Sequence, residues 1–152
     1  MADQWWQKSE SDNWWTPLDL FEQLDDEFHF TVDVAASAKN ALCDRYYNKR
    51  DNGLAQSWKG ETVWCNPPYG TVLAQWVRKG YEESITNGVT SVFLIPARVD
   101  TNYWHEYIFG KAEIRFIRGR LKFEGPLGGG SAPFPAAIVI FRPMKNKRSK
   151  TL

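Results

Sequence analysis

Four consecutive residues, Asn66-Pro67-Pro68-Tyr69, carry the densest chemistry in the chain. The two prolines hold φ near about −65° and offer no backbone N–H, so the segment is stiff and rich in acceptors. The Asn66 side-chain oxygen and the Pro67 carbonyl can both face one crevice. Two acceptors are what an –NH2 group requires for its two hydrogens. Tyr69 adds a flat face on which a planar group can stack. A conjugated amine is a poor nucleophile because its lone pair is delocalised into the ring. Hydrogen bonds to both protons favour the pyramidal form, in which that pair becomes available without a strong general base. Positioning against an electrophile then supplies much of the rate.

A second feature lies upstream. Phe30-Thr31-Val32-Asp33-Val34-Ala35 reads as a strand ending on an acid, with Ala36-Ser37 following. Thr62-Val63-Trp64-Cys65 is a short apolar strand that runs directly into Asn66. Ligands of open α/β sheets lie beyond the carboxyl ends of the strands, so the two ends can face a common crevice. Asp33 is a candidate for a polar ligand contact or for a turn cap. Arg98, just after Pro96-Ala97, is a candidate phosphate contact or ion-pair partner. Phe134, between two prolines, is less easily read as core and is a candidate contact for a planar group. His29 and His105 lack partners at metal-ligand spacing, and no metal is expected. Cys43 and Cys65 make neither a disulfide framework nor a zinc pattern, and each reads as a small buried hydrophobe.

The elements that must position these residues follow from periodicity. Thr16 is placed to N-cap a helix whose first residue is Pro17, with Asp19 complementing the dipole and Leu20, Phe21, Leu24 and Phe28 on one face. Residues 36–60 are mixed, with one short helix expected over 40–46. A longer helix carries Leu73, Trp76, Val77, Tyr81 and Ile85 on one face and stops at Asn87-Gly88. Ser91-Val92-Phe93-Leu94-Ile95 has the continuous apolar character of a strand buried on both faces. A short helix is expected over 102–109, and strands over 114–117, 121–123 and 137–141. The last two flank Gly125-Pro126-Leu127-Gly128-Gly129-Gly130-Ser131, a flexible loop. The order implies an α/β fold, a mostly parallel sheet with an antiparallel pair at one edge. One domain is expected over 14–143, with a loose arm over 1–13 and a basic tail over 144–152.

Composition sets bounds and little more. At 152 residues, with 43% hydrophobic and 24% charged residues, the chain has the make-up of one soluble domain. No apolar run approaches the ~18–20 residues that span a bilayer, and the N-terminus lacks the basic and apolar regions of a signal peptide. A reducing, cytoplasmic location is therefore expected. The net charge of +1 gives no global case for nucleic acid. Its distribution is informative: eight acids fall in residues 1–30 against Lys8 alone, and later come Arg115, Arg118, Arg120 and Lys122, then Lys145, Lys147, Arg148 and Lys150. A basic second half can contact phosphates. The aromatic share is 15%, with eight Trp; Trp76 and Trp104 lie in helical patterns and are expected in the core.

Asn-Pro-Pro-Tyr after a strand resembles the catalytic motif of Rossmann-like amino-methyltransferases. The chain as a whole resembles the phage-type DNA N6-adenine methyltransferase (Dam) family, over roughly 14–142. The resemblance is carried by Trp15-Thr16-Pro17, Asp33-Val34-Ala35-Ala36-Ser37, Asn52-Gly53-Leu54-Ala55, Trp58 and Trp64-Cys65-Asn66-Pro67-Pro68-Tyr69-Gly70. It continues through Leu94-Ile95-Pro96-Ala97-Arg98, Arg115-Phe116-Ile117, Gly119-Arg120-Leu121-Lys122-Phe123 and Ala132-Pro133-Phe134-Pro135. It implies a compact Rossmann-like class I methyltransferase sheet, S-adenosylmethionine as cofactor, DNA as partner, a phage or prophage gene in a bacterial cytoplasm, and methyl transfer to a flipped adenine. It implies Asn66, Pro67, Pro68 and Tyr69 as the catalytic segment, and Thr16, Pro17, Asp33, Ala35, Asp51 (or its neighbour Asn52) and Asn66 around the cofactor. It implies Arg98, Arg120, Lys122 and Phe134 on the DNA side. Ala-Ala-Ser stands where such proteins commonly have a glycine-rich turn, and the acid that usually binds the ribose hydroxyls has no clear counterpart. Another conjugated amine (a glutamine amide, an RNA adenine, cytosine N4) suits the same tetrapeptide, although cytosine enzymes more often begin it with Ser. A non-catalytic nucleic-acid-binding module would not need this motif.

Overall fold

A computed structural model describes residues 14–125 and 131–143. The expected arm, the basic tail and most of the glycine-rich loop lie outside the described residues.

The described residues open with helix α1 (Leu18–Phe28), followed by strand β1 (Val32–Asp33), a 3-10 turn (Gly53–Ala55), strand β2 (Thr62–Cys65) and helix α2 (Leu73–Thr86). Strand β3 (Thr90–Pro96), a π-helical turn (Trp104–Ile108), strand β4 (Glu113–Phe116) and strand β5 (Ala136–Phe141) complete it. The sheet has the order β1-β2-β3-β5-β4. β1, β2 and β3 pair in parallel, with Cys65 opposite Phe93. β5 enters between β3 and β4 and runs antiparallel to both, with Pro96 opposite Ala136. The antiparallel character therefore extends beyond the expected edge pair, and two of the four ladders are parallel.

Alternation along the strands divides the core. Trp64 faces α1, where Phe21 meets its ring edge-on at 5.4 Å and Phe30 lies at 5.5 Å. Phe93 and Phe141 point to the other face, toward α2. Helices thus cover both faces, which is why β3 and β5 are apolar along nearly their whole length. Gly80 sets the approach of α2: a Cβ there would lie 2.5 Å from the Phe93 ring and 2.9 Å from Phe141. Trp58, Trp64, Trp76 and Phe93 are wholly buried, and truncation of such a ring typically costs ~3–5 kcal/mol. Trp76 and Trp104 lie in the core as expected. Among the described residues no helix is long and apolar enough to cross a membrane.

Four local expectations are corrected. The helix begins at Leu18 with Pro17 in the capping position, and Thr16 makes no capping bond. The Leu18 N–H instead donates to the Glu124 carboxylate at 3.0 Å, so a distant residue caps α1. The strand at 30–35 shortens to Val32–Asp33. Segment 40–46 is not helical. Its backbone is drawn to β1: the Leu42 N–H donates to Asp33 Oδ2, the Asp33 N–H to the Arg45 carbonyl, and the Tyr47 N–H to the Asp33 carbonyl. Those bonds replace the i→i−4 set and cover the β1 edge. Segment 121–123 is not a regular strand; Lys122 bridges Ser131 and Glu124 bridges Trp15. The expected stop of α2 holds, with Asn87 as cap and Gly88 at φ +65°.

Candidate active site

The carboxyl ends of β2 and β3 lie side by side, and Asn66-Pro67-Pro68-Tyr69 leaves the first of them. The Asn66 side chain is held at both ends. Its Nδ2 donates to the Trp14 carbonyl at 2.5 Å and to Thr16 Oγ1 at 3.0 Å. Its Oδ1 accepts from the Tyr69 hydroxyl at 2.6 Å. The same hydroxyl lies 3.0 Å from the Leu94 carbonyl on β3. One proton serves both acceptors, and the shorter contact is the one to Asn66. Burial pushes the Tyr69 phenol well above its ordinary value, so it remains a donor. The Tyr69 carbonyl accepts from Arg98 Nη1 at 3.1 Å, which fastens the loop to the end of β3. Oδ1 keeps a second lone pair, and no donor among the described residues reaches the Pro67 carbonyl.

An aromatic layer closes over this network. Tyr69 is only 3% exposed. Its ring lies 6.2 Å from Phe123 and 5.7 Å from Phe134, both edge-on. Trp14 packs edge-on against the same two rings at 5.4 and 5.5 Å, and they approach each other at 6.0 Å. Four rings from four separate segments therefore meet here. The flat face expected of Tyr69 is present but covered. Phe134 is half-buried in this layer.

The second expected strand end is built differently. Asp33 is 3% exposed, and its carboxyl accepts from the Ala35 N–H at 3.4 Å and the Leu42 N–H at 3.1 Å. Burial raises its pKa from 3.8 to about 6 against those two hydrogen bonds. Gly53 packs on the adjoining backbone: a Cβ there would lie 2.1 Å from the Val34 carbonyl oxygen. Only glycine permits that approach. It brings Gly53 and the 3-10 turn against Val34, next to Asp33 and Ala35. Asp51 itself is exposed and engaged in its own turn, its carboxylate accepting the Asn48 N–H while Asn48 Oδ1 accepts the Asp51 N–H. Asn52, at φ +56°, caps the 3-10 turn through Leu54.

The family model described as DNA N-6-adenine-methyltransferase (Dam) matches residues 4–151. The chain belongs to this family. It is similar to the DNA N-6-adenine-methyltransferase of Escherichia phage T1, with 32% identity over 112 residues, 72% of this chain and 46% of that protein. It is also similar to the candidate methyltransferase YfdM of Escherichia coli (strain K12), with 36% identity over 70 residues, 41% of this chain and 76% of that protein. The match spans a little under half the length of the phage relative.

For a Dam-family chain the implied cofactor is S-adenosylmethionine, and the donor set at Asp33 fits it. Among the described residues no cation pairs with this buried carboxyl, while the cofactor carries an ammonium and a sulfonium. Thr16 and Pro17 are buried, Thr16 bonded to Asn66, and Asp33 with Ala35 lie at the neighbouring strand end, whereas Asp51 lies in the exposed turn before Gly53.

The remaining expected residues are more dispersed. Arg98 touches the motif, whereas Arg120 and Lys122 are exposed on the strip that leads to Phe123. Arg115 is not available for DNA in the same way: it pairs with Glu27 on α1 and with Glu113, and Arg142 joins the same network. Both guanidinium groups also lie over the Phe28 ring. Sequence reasoning did not foresee Trp14 and Glu124 around the motif, and it placed Phe123 only within the Gly119–Phe123 segment expected on the DNA side. Trp14, two residues before Thr16, and Phe123, ending the Gly-Arg-Leu-Lys-Phe segment, were the only signals available. Neither thiol is a nucleophile here, since burial pushes Cys43 up to about 12 and Cys65 well above its ordinary value.

Proposed function

We propose that this chain methylates adenine N6 in DNA, using S-adenosylmethionine, at Asn66-Pro67-Pro68-Tyr69. The supporting observation is the state of the Asn66 amide. Its nitrogen is tied to two acceptors and its oxygen, which accepts from Tyr69, keeps a lone pair, while no donor among the described residues takes the Pro67 carbonyl next in the chain. Two acceptors on a rigid turn form a clamp for the two hydrogens of an amine, and no ionisable base is needed at that point. S-adenosylmethionine, when bound, supplies a methyl group on positively charged sulfur. Pro17, Asp33 and Ala35 would hold it, with Asp51 or Asn52 toward its far end, and the Asp33 carboxylate would meet its positive charge, while the Thr16 hydroxyl is taken by Asn66.

An adenine inside a duplex cannot reach this clamp and must be flipped out, at a cost of a few kcal/mol. Stacking on an aromatic ring offsets ~1–3 kcal/mol of that. The ring is Tyr69, and the base reaches it by parting the aromatic layer at Phe134. Arg98, Arg120 and Lys122 contact the backbone around the extruded nucleotide.

Incubation with labelled S-adenosylmethionine and unmethylated DNA, followed by digestion to nucleosides, tests this directly. N6-methyladenine is the expected labelled product. Label in cytosine, in RNA only or in protein would overturn the assignment. Asn66→Ala is expected to abolish turnover while keeping cofactor affinity, measured by calorimetry. Asp33 must ionise to receive a cation, so cofactor affinity should fall as pH drops through about 6.

A further inference from the structure

We propose that the lead-in segment Trp14–Thr16 is the positioning clamp that sets which end of the Asn66 amide faces the reacting amine, with Thr16 as its side-chain member. The inference rests on the reading of Asn66 and Pro67 as an amine clamp and adds the group that aligns it. An asparagine presents either oxygen or nitrogen through a half-turn of its amide, and only the oxygen accepts a proton from –NH2. One contact decides the sense and a second supports it. The Trp14 carbonyl is an acceptor alone, so a turned amide would set two oxygens against each other at the position where Nδ2 now donates at 2.5 Å. Thr16 Oγ1 provides the second acceptor at 3.0 Å, on a side chain that is 8% exposed. On the far side the Tyr69 hydroxyl completes the selection by donating to Oδ1.

The clamp is itself fixed, which a casual surface contact would not be. The Trp15 N–H and carbonyl exchange hydrogen bonds with Glu124 at 3.1 and 2.9 Å, and the Glu124 carboxylate caps α1 two residues after Thr16. The Trp14 ring is wedged against Phe123 and Phe134. A segment about fifty positions away in sequence is thus braced from three sides, and the groups it presents to Asn66 are acceptors. Thr16 acts through Asn66 and is a positioning residue.

Thr16→Val keeps the shape and removes the acceptor; Thr16→Ser restores it. With the full chain at saturating cofactor, Thr16→Val should lower kcat about tenfold while KM for DNA and cofactor affinity stay within about twofold, the loss expected when the amide that meets the reacting amine is held by one hydrogen bond fewer. Thr16→Ser should recover kcat. In nitrogen–proton correlation spectra the two Asn66 side-chain protons should exchange slowly with water in the native chain and in Thr16→Ser, and faster in Thr16→Val. A Thr16→Val enzyme with native kcat overturns the proposal. So does a loss that tracks weakened cofactor binding, or a serine variant that fails to recover. If the valine variant does not fold, fast exchange of the Asn66 amide in the native chain is sufficient to reject the clamp. A native chain that yields no N6-methyladenine would instead sink the assigned reaction, and the exchange measurement would still decide the clamp.

Discussion

The Tyr69 hydroxyl shares one proton between Asn66 and the Leu94 carbonyl, so the ring and its oxygen have separable roles. Tyr69→Phe keeps a stacking face and removes the donor. Turnover should drop while target binding persists, and unfolding by denaturant should reveal a loss of ~1 kcal/mol for the missing hydrogen bond. Tyr69→Ala should weaken both. Asp33 offers a pH test whose sign is fixed by its burial. Its folded pKa of about 6 lies above the ordinary 3.8, so the folded chain holds the proton more tightly. The contribution to stability is complete below about pH 4 and is lost as pH rises through about 6, a swing of ~3 kcal/mol. Asp33→Asn cannot titrate. Relative to it, the native chain should therefore gain stability on going from pH 7.5 to pH 4, as read from denaturant midpoints. An unchanged difference would mean that burial does not control this carboxyl. At this scale the sequence was highly legible for Asn66, Pro67 and Tyr69, because stiff acceptors after a strand are a local property. It was silent on Trp14 and Thr16 as their partners, because that contact joins residues 52 and 50 positions apart.

Among the elements, those set by local patterns were easiest to foresee. α2 and β3 have strong periodicity or an unbroken apolar run, and both appear close to their expected bounds. Local details whose bonds are claimed from afar were misjudged, although the helix α1 itself was foreseen. The 40–46 segment gives its N–H groups and carbonyls to β1, and α1 is capped by a residue 106 positions away rather than by Thr16. Glu124→Ala should therefore destabilise the chain by ~1 kcal/mol, with the loss appearing as faster amide exchange in the first turn of α1. Gly80→Ala separates two opposing effects. Alanine favours a helix interior by ~1 kcal/mol, yet its methyl would overlap Phe93 and Phe141. The overlap should win, for a net loss of ~1–3 kcal/mol in chemical denaturation.

Over the whole molecule, charge is partitioned by what it faces. The cluster of Glu27, Glu113, Arg115 and Arg142 ties α1 to β4 and to the end of β5, and each member is answered within the fold. Among the described residues Arg118, Arg120 and Lys122 form no ion pair, and all three are exposed on the segment that leads to Phe123. Replacing these three with Gln should weaken DNA binding across sequences and reduce the slope of log affinity against log salt by about 0.9 for each phosphate no longer neutralised. Arg115→Gln should act on α1 docking and leave that slope in place. A net charge of +1 conceals this division.

The insertion of β5 between β3 and β4 also dictates an order of events during synthesis. β4 has no strand partner and β3 has only β2 until residues 136–141 have left the ribosome, and β5 is buried along its whole length once docked. Contacts of such sequence separation form late and slowly. The partly made chain holds the open edge of an apolar β3, a surface prone to pairing with other chains. Phe134, two residues before β5, joins the aromatic layer as β5 docks, so the roof over Tyr69 closes only after the parallel strands beneath it have been made.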